Sequence, residues 1–263
     1  MMIISIITIN YNDKQGLEKT IKSVSKFSAD CIHKVEYIII DGGSDDGSME
    51  LAKRYLNKND FMILDFVSEE DSGIYDAMNK GLRKVCSESD YVLFMNSGDV
   101  FLENAGRLIS SKDFCNDIIV FGIESRDDKG NLIPIRKITQ VEDIKSWPCF
   151  PHQSTFINAT YHKNNCYNLD YRILADYNFF CEAYSNGLSI KVFPVAISDF
   201  NQDGISNNSK YLNLFINELK SVQINYFGKY SKMIVFPLYI KWILRSVPFF
   251  KGIEMTIRKI FFR

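Results

Sequence analysis

Short apolar runs alternate with helically spaced apolar residues through the first hundred positions of the chain. Residues 3–9 (IISIITI), 35–40 (VEYIII), 61–67 (FMILDFV) and 90–95 (DYVLFM) are rich in Ile and Val, as strands buried on both faces must be. Between them Leu17, Ile21, Val24 and Phe27 recur at helical spacing. So do Leu51, Tyr55 and Leu56, then Ile74, Met78, Leu82 and Val85. This βαβαβαβ order predicts a parallel sheet with helices on both faces. Beyond residue 115 the pattern loosens. DIIVFGIE (117–124), the turn DDKGN (127–131) and LIPIRKI (132–138) predict a hairpin. QSTFIN (153–158) and SIKVFPVA (189–196) predict two more strands, 176–186 a helix stopped by Gly187, and about 208–226 a last helix. The whole reads as one α/β domain with a mixed sheet, followed by an appendage.

Each of the first four strands runs into a polar cluster at its carboxyl end: NYND (10–13), DGGSDDGS (41–48), SEEDSG (68–73) and NSGD (96–99). In an open parallel sheet those ends form the ligand crevice. A single cluster would be ordinary turn chemistry, since Asp, Asn, Ser and Gly all favour turns. Four in succession point to a site. Asp41, Asp45, Asp46, Asp71, Asp76 and Asp99 would make it acidic. It contains neither GxGxxG nor GxxxxGK, so the dinucleotide and P-loop fingerprints do not apply. An acidic pocket still binds a diphosphate when a divalent cation sits between them, and Mg²⁺ takes one or two carboxylates, waters and substrate phosphates.

Composition alters this picture in one respect. Apolar residues make up 46% and charged residues 24% of the chain, ordinary values for a globular protein. The net charge of −1 is unevenly spread: residues 227–263 carry eight Lys and Arg against Glu254, a net +7, which leaves −8 elsewhere. An acidic body argues against nucleic acid as a partner, and a basic, apolar tail points to a surface contact. The expected division is a domain over 1–226 and a basic amphipathic helical tail over 227–263. The six cysteines (31, 86, 115, 149, 166, 181) form no CxxC pair and read as free thiols of a reducing compartment. The N-terminal apolar run lacks a basic flank and is too short for a signal peptide, so it reads as the first strand.

The ordered series SIITINYN, EYIIIDGGSDDGS, SEEDSGIYDAMNKG, FMNSGD, PHQSTF (151–156), LDYRILADYNFF (169–180) and DFNQDGISNN (199–208) resembles the family 2 glycosyltransferases of GT-A fold. The likeness is greatest to small enzymes of bacterial exopolysaccharide, O-antigen and colanic-acid clusters. It implies a Rossmann-like, mostly parallel mixed sheet and an inverting transfer of a sugar from a nucleotide-diphosphate donor to an acceptor hydroxyl. At the family level the donor is a UDP-sugar, the acceptor a lipid-linked glycan and the cofactor Mg²⁺ or Mn²⁺. Tyr11 matches the position against the base, with Asn12 in the same motif, and Asp41 the carboxylate that binds base or ribose. Ser44 and Asp71 fall in motifs that border the nucleotide. Asp99 matches the last Asp of the metal motif; the leading carboxylate is replaced, and Asn96 nearby could offer a carbonyl oxygen or orient a water. Asp176 matches the catalytic base.

Each residue also has a structural alternative. Tyr11 could pack on the sheet edge, and Asp41 and Ser44 could be turn and cap residues. Asp76 and Asn79 could brace their helix, Asp99 could shape a turn, and Asp176 could be a first-turn Asp. His152 stands evenly between a structural role and contact with acceptor or phosphate. Two other functions compete. A sugar nucleotidyltransferase would want a Gly-rich basic phosphate loop, which is absent here. A non-catalytic sugar- or lipid-binding relative would be expected to lose Asp99 and Asp176, and both are present.

In the tail, MIVFPLYIKWILRSVPFF (233–250) is broken by Lys241, Arg245 and two prolines, which argues against a spanning helix. Ile253, Ile257 and Ile260 share a helical face, with Glu254 and Arg258 as an i,i+4 pair. This pattern suggests interfacial helices holding the protein on the cytoplasmic face of the inner membrane, near a lipid-linked acceptor. A tail packed on its own domain or on a second subunit is the alternative.

Overall fold

The computed structural model describes residues 1–56, 63–126, 131–133, 137–200, 209–232 and 234–238. In chain order the elements are β1 (Ile3–Asn10), α1 (Lys14–Asp30), β2 (Lys34–Asp41), α2 (Ser48–Leu56), β3 (Ile63–Ser68), α3 (Ile74–Lys84) and β4 (Tyr91–Phe94). These are followed by β5 (Val100–Phe101), α4 (Ala105–Ser110), β6 (Ile118–Glu124), β7 (Thr155–Asn158) and α5 (Ala159–Asn164). The series closes with α6 (Ala175–Ser185), β8 (Ile190–Asp199) and α7 (Leu212–Phe227). Short 3₁₀ turns cover Val141–Lys145, His152–Ser154 and Ser209–Tyr211.

β1 pairs in parallel with β2 and β4, and β2 in parallel with β3. The sheet continues beyond β4 through antiparallel β7, then β6, then β8 parallel to β6, and ends on β5. Its order is β3-β2-β1-β4-β7-β6-β8-β5. Helices cover both faces. On one side Ile4, Ile6, Tyr37 and Ile39 pack with Leu17, Ile21, Val24 and Phe27 of α1. On the other Ile7, Ile9, Ile38 and Ile40 pack with Met78 and Leu82 of α3, and the same layer takes in Phe179 of α6 and Leu219 of α7. The alternation of partners along β1 explains why five of its eight positions are Ile.

Among the described residues, the buried polar residues inside the strands have hydrogen-bond partners. Thr8 Oγ1 reaches the Tyr37 hydroxyl (2.9 Å) and donates to the Met95 carbonyl (2.7 Å). At the amino ends of the strands, buried Glu36 accepts from the Ser5 hydroxyl and from the Cys86 N–H. This network holds the edge of the sheet remote from the polar clusters.

The expected hairpin between 117–124 and 132–138 is not formed among the described residues. Only a single antiparallel bridge, Arg126 to Leu132, links the two segments, and 127–130 and 134–136 lie outside the described residues. The physical reason is that both edges of β6 are taken, by β7 and β8. β5 is too short for any periodicity to announce it. All six cysteines are free thiols. Among the described residues no helix is long and apolar enough to cross a membrane. The expected interfacial helices lie outside the described residues from 239 onward. The start of the tail rests on the domain: Ser231 N donates to Gln223 Oε1 (2.8 Å) and Val235 is buried, whereas Phe236 faces solvent.

Candidate active site

The parallel register sets Asn10 beside Asp41 and Asp41 beside Ser68, so three strands end level with one another. Asp41 ties them together. Its carboxylate is fully buried and accepts from Asn10 Nδ2 (2.7 Å), Ser68 Oγ (2.7 Å), Ser44 Oγ (2.6 Å) and Ser44 N (2.9 Å). Burial on its own would raise the Asp41 carboxyl. The hydrogen bonds from Ser44, Asn10 and Ser68 outweigh it and hold the group below the ordinary carboxylate range. Ser44 Oγ in turn accepts from Asn12 N (2.8 Å), and Asn12 Oδ1 accepts from Asp45 N (2.9 Å). Asn12 has φ +50°, a left-handed conformation that Asn tolerates better than most residues.

Above this loop the Tyr11 ring is 68% exposed. A β-carbon on Gly42 would lie 2.5 Å from Asp71 Oδ2 and 3.2 Å from Tyr11 Cδ2, so ring and carboxylate converge over the bare Gly42 backbone. An exposed aromatic face beside a carboxylate makes a shelf that can take a flat, hydrogen-bonding heterocycle. Other acids of the crevice brace the scaffold. Asp46 accepts from Lys14 N (2.7 Å) and Ser48 Oγ (2.6 Å), and Asp76 from Ser72 N (3.0 Å). Asn79 exchanges two hydrogen bonds of 2.9 Å with the backbone of Tyr167.

The second cluster forms where β4 ends. Ser97 Oγ donates to Asn10 Oδ1 (2.8 Å), so the Asn10 amide joins the two clusters. Asp99 is buried in a turn closed by its N–H on the Asn96 carbonyl (3.0 Å). Gly98, just before it, has φ +92°, which a side chain would strain. The antiparallel register of β4 and β7 runs the start of β7 back along the end of β4, and His152 arrives beside Asn96. Asn96 Nδ2 lies 3.0 Å from His152 Nε2, and His152 Nδ1 lies 3.1 Å from Asp176 Oδ2. Asp176 Oδ1 also accepts from the Tyr75 hydroxyl (2.9 Å) and from Tyr177 N (2.8 Å). Burial pushes the His152 imidazole down, but its bond to Asp176 and the charges of Asp176 and Asp99 hold it above its ordinary value. Asn96 Oδ1 is buried with no hydrogen-bond partner among the described residues.

The family model described as "Glycosyl transferase family 2" matches residues 5–187, which span both clusters. The chain is a family 2 glycosyltransferase. An uncharacterized glycosyltransferase of Mycobacterium tuberculosis is 31% identical to it over 193 residues, covering 68% of each chain. Among solved structures, Staphylococcus aureus TarS residues 1–349 in complex with UDP-GlcNAc superposes with a TM-score of 0.64 at 15% identity. That match covers 97% of this chain and 76% of TarS. A mannosyltransferase of Pyrobaculum calidifontis in complex with GDP-Man and Mn²⁺ gives 0.60 at 12% identity, covering 83% and 62%. At such low identity these structures bear on the fold alone, and the fold is GT-A.

In the glycosyltransferase, then, the residues singled out in the sequence fall into two linked groups. Tyr11, Asn12, Asp41, Ser44 and Asp71 build the shelf, and Asn96, Asp99, His152 and Asp176 build the cluster beside it. Asp41 presents no surface and organises the loop under the shelf. Two residues were not foreseen. Asn10 sits inside a singled-out motif, yet nothing local marks it as the link. Tyr75 reads as a buried helix residue, and only the tertiary fold brings its hydroxyl to Asp176.

Replacing Asp41 by Asn places an amide NH₂ among groups that already donate, so Asp41→Asn is expected to lose roughly 1–3 kcal/mol. Because the folded carboxyl is depressed, its contribution is complete above the unfolded value of about 3.9. It declines as pH drops below that value and is gone once pH passes under the folded value. Denaturant unfolding of both proteins from about pH 7 down to about pH 2 checks this. The gap between them should be widest at neutral pH and close in acid; a pH-independent gap would contradict the assignment.

Proposed function

We propose that the enzyme transfers a sugar with inversion from a UDP-sugar to a hydroxyl of a lipid-linked glycan acceptor, in the synthesis of a bacterial surface polysaccharide. The observation that carries this reading is the chain Asn96–His152–Asp176–Tyr75 beside the Tyr11–Asp71 shelf. The shelf takes the nucleotide, and Asp176, in the first turn of α6, takes the proton. The acceptor oxygen forms a bond to the anomeric carbon as the bond from that carbon to the diphosphate oxygen breaks. The acceptor proton passes to Asp176, and the electron pair of the broken bond leaves with UDP. Tyr75 and His152 hold the carboxylate in place, and general-base help of this kind contributes about 10²–10⁴-fold.

The residues present fit a divalent cation. Asp99 offers a carboxylate, and the unpartnered Asn96 Oδ1 offers a second hard oxygen from the same turn. Among the described residues no group of three or more His, Cys, Asp or Glu could hold a metal by itself, so the donor diphosphate and waters would complete the shell. Mg²⁺ or Mn²⁺ held there would supply positive charge against the departing diphosphate.

The tail, with its net charge of +7 from 227 onward, supports attachment to an anionic membrane surface, since each basic group near such a surface contributes about 1 kcal/mol. Free thiols fit the cytoplasmic face.

The direct experiment is to incubate the protein with a panel of nucleotide sugars and candidate acceptors and measure nucleoside diphosphate release. Asp176→Asn is expected to lower kcat at least about a hundredfold while UDP affinity persists; near-normal turnover would end the assignment. Asp99→Ala is expected to abolish the Mg²⁺ dependence of UDP binding and Asn96→Ala to weaken it, whereas unaltered metal dependence in Asp99→Ala would place the cation elsewhere. A chain ending at Gly228 should lose co-sedimentation with anionic liposomes, and equal binding by the shortened and full-length chains would exclude the tail as the anchor.

A further inference from the structure

A buried carboxylate on α7, Glu218, meets the chain where it enters α6. Asp176 occupies the first turn of α6, and the N-cap position is Leu174, whose side chain cannot accept a hydrogen bond. The chain enters the helix through Arg172, Ile173 and Leu174, which precede its first residue, Ala175. Here three successive backbone groups, Arg172 N (2.9 Å), Ile173 N (3.0 Å) and Leu174 N (2.9 Å), donate to the carboxylate of Glu218. Glu218 is 6% exposed, on a helix whose neighbouring Ile216, Leu219 and Val222 are fully buried. Among the described residues it forms no ion pair with Lys, Arg or His. Burying a carboxylate costs several kcal/mol unless its oxygens are well bonded.

The geometry shows what the buried charge adds. Ile173 is gripped from both sides: its N–H donates to Glu218, and its carbonyl accepts from the Tyr75 hydroxyl (2.7 Å). The same hydroxyl lies 2.9 Å from Asp176 Oδ1. A continuous polar path therefore runs from Glu218 through the Ile173–Leu174 peptide, whose N–H donates to Glu218 and whose carbonyl accepts from Tyr75, to the carboxylate that faces His152. We propose that Glu218 is a positioning residue, which locks the entry of α6 so that Asp176 points at the acceptor. The proposal rests on Asp176 as proton acceptor.

The test compares Glu218→Gln, Asp176→Asn and the double variant. Gln keeps the bulk and one acceptor oxygen, and thermal melting establishes that the variants fold. The expected result for Glu218→Gln is a fall in kcat of about ten- to a hundredfold, the scale of a small misplacement. UDP affinity and KM for the donor chosen by the panel should stay unchanged. In the Asp176→Asn background Glu218→Gln should add no further loss, because it acts through the missing group. A readout without turnover is the ring ¹⁵N signal of His152 in the ligand-free protein, assignable because the chain has three histidines. Its Nδ1 resonance should move in Glu218→Gln as the bond to Asp176 changes.

Normal kcat with an unmoved His152 signal would overturn the proposal, while an inactive Asp176→Asn would leave the base assignment standing. Equal losses in both backgrounds, or a fall in UDP affinity alongside the melting temperature, would show a general structural role and overturn it as well. An active Asp176→Asn would remove the base assignment and the positioning role with it.

Discussion

Parallel pairing of β1 with β2 on one side and β4 on the other brings the carboxyl ends of these strands to a single edge of the sheet. Parallel neighbours require crossover helices, the helices cover both faces, and the strands become apolar from end to end. Polar residues then have one place to collect, the turns that follow each strand. NYND, DGGSDDGS and NSGD share that edge because the backbone register permits no other arrangement. The antiparallel addition of β7 beside β4 completes it, returning His152 to the same edge from the other direction.

Among the described residues, the carboxylates of Asp41 and Glu218 are buried without cationic partners. Asp41 is enclosed by two hydroxyls, an amide and a backbone N–H, and Glu218 by three backbone N–H groups. An ionised carboxylate satisfied in this way has fixed acceptor geometry, so it acts as a rigid node. Asp41 gathers the ends of three strands; Glu218 gathers the entry to α6. Glu36 does similar work at the amino ends of the strands, far from the site, where its role is to hold the sheet closed. Similar chemistry thus serves stability at one edge and placement at the other.

The two halves of the site differ in exposure. The Tyr11 ring stands in solvent, ready for a flat partner, whereas Asp99 is buried and His152 and Asp176 are mostly enclosed. Asn10 links the halves by donating to Asp41 and accepting from Ser97. The path from Asn96 through His152 to Asp176 continues that connection to α6.

The order of the first four strands, the helices between them and the edge that carries the site follow from the sequence alone. Local periodicity and strand-end polarity are set by neighbours a few residues apart, and parallel topology leaves little freedom in assembling them. The placement of Tyr11, Asp71 and Asp99 just beyond the strand ends was legible for that reason. In the second half of the sheet the strands β6, β7 and β8 were legible, but their pairing was not. Residues 117–124 read as one arm of a hairpin, but β6 found its partners in β7 and β8, because edge pairing is decided by long-range competition that no local pattern records. The pairing of His152 with Asp176, the approach of Tyr75, and the grip of Glu218 on α6 join segments from 24 to 101 positions apart. Hydrogen bonds at such separations exist only once the core has packed, and the tertiary structure alone decided them.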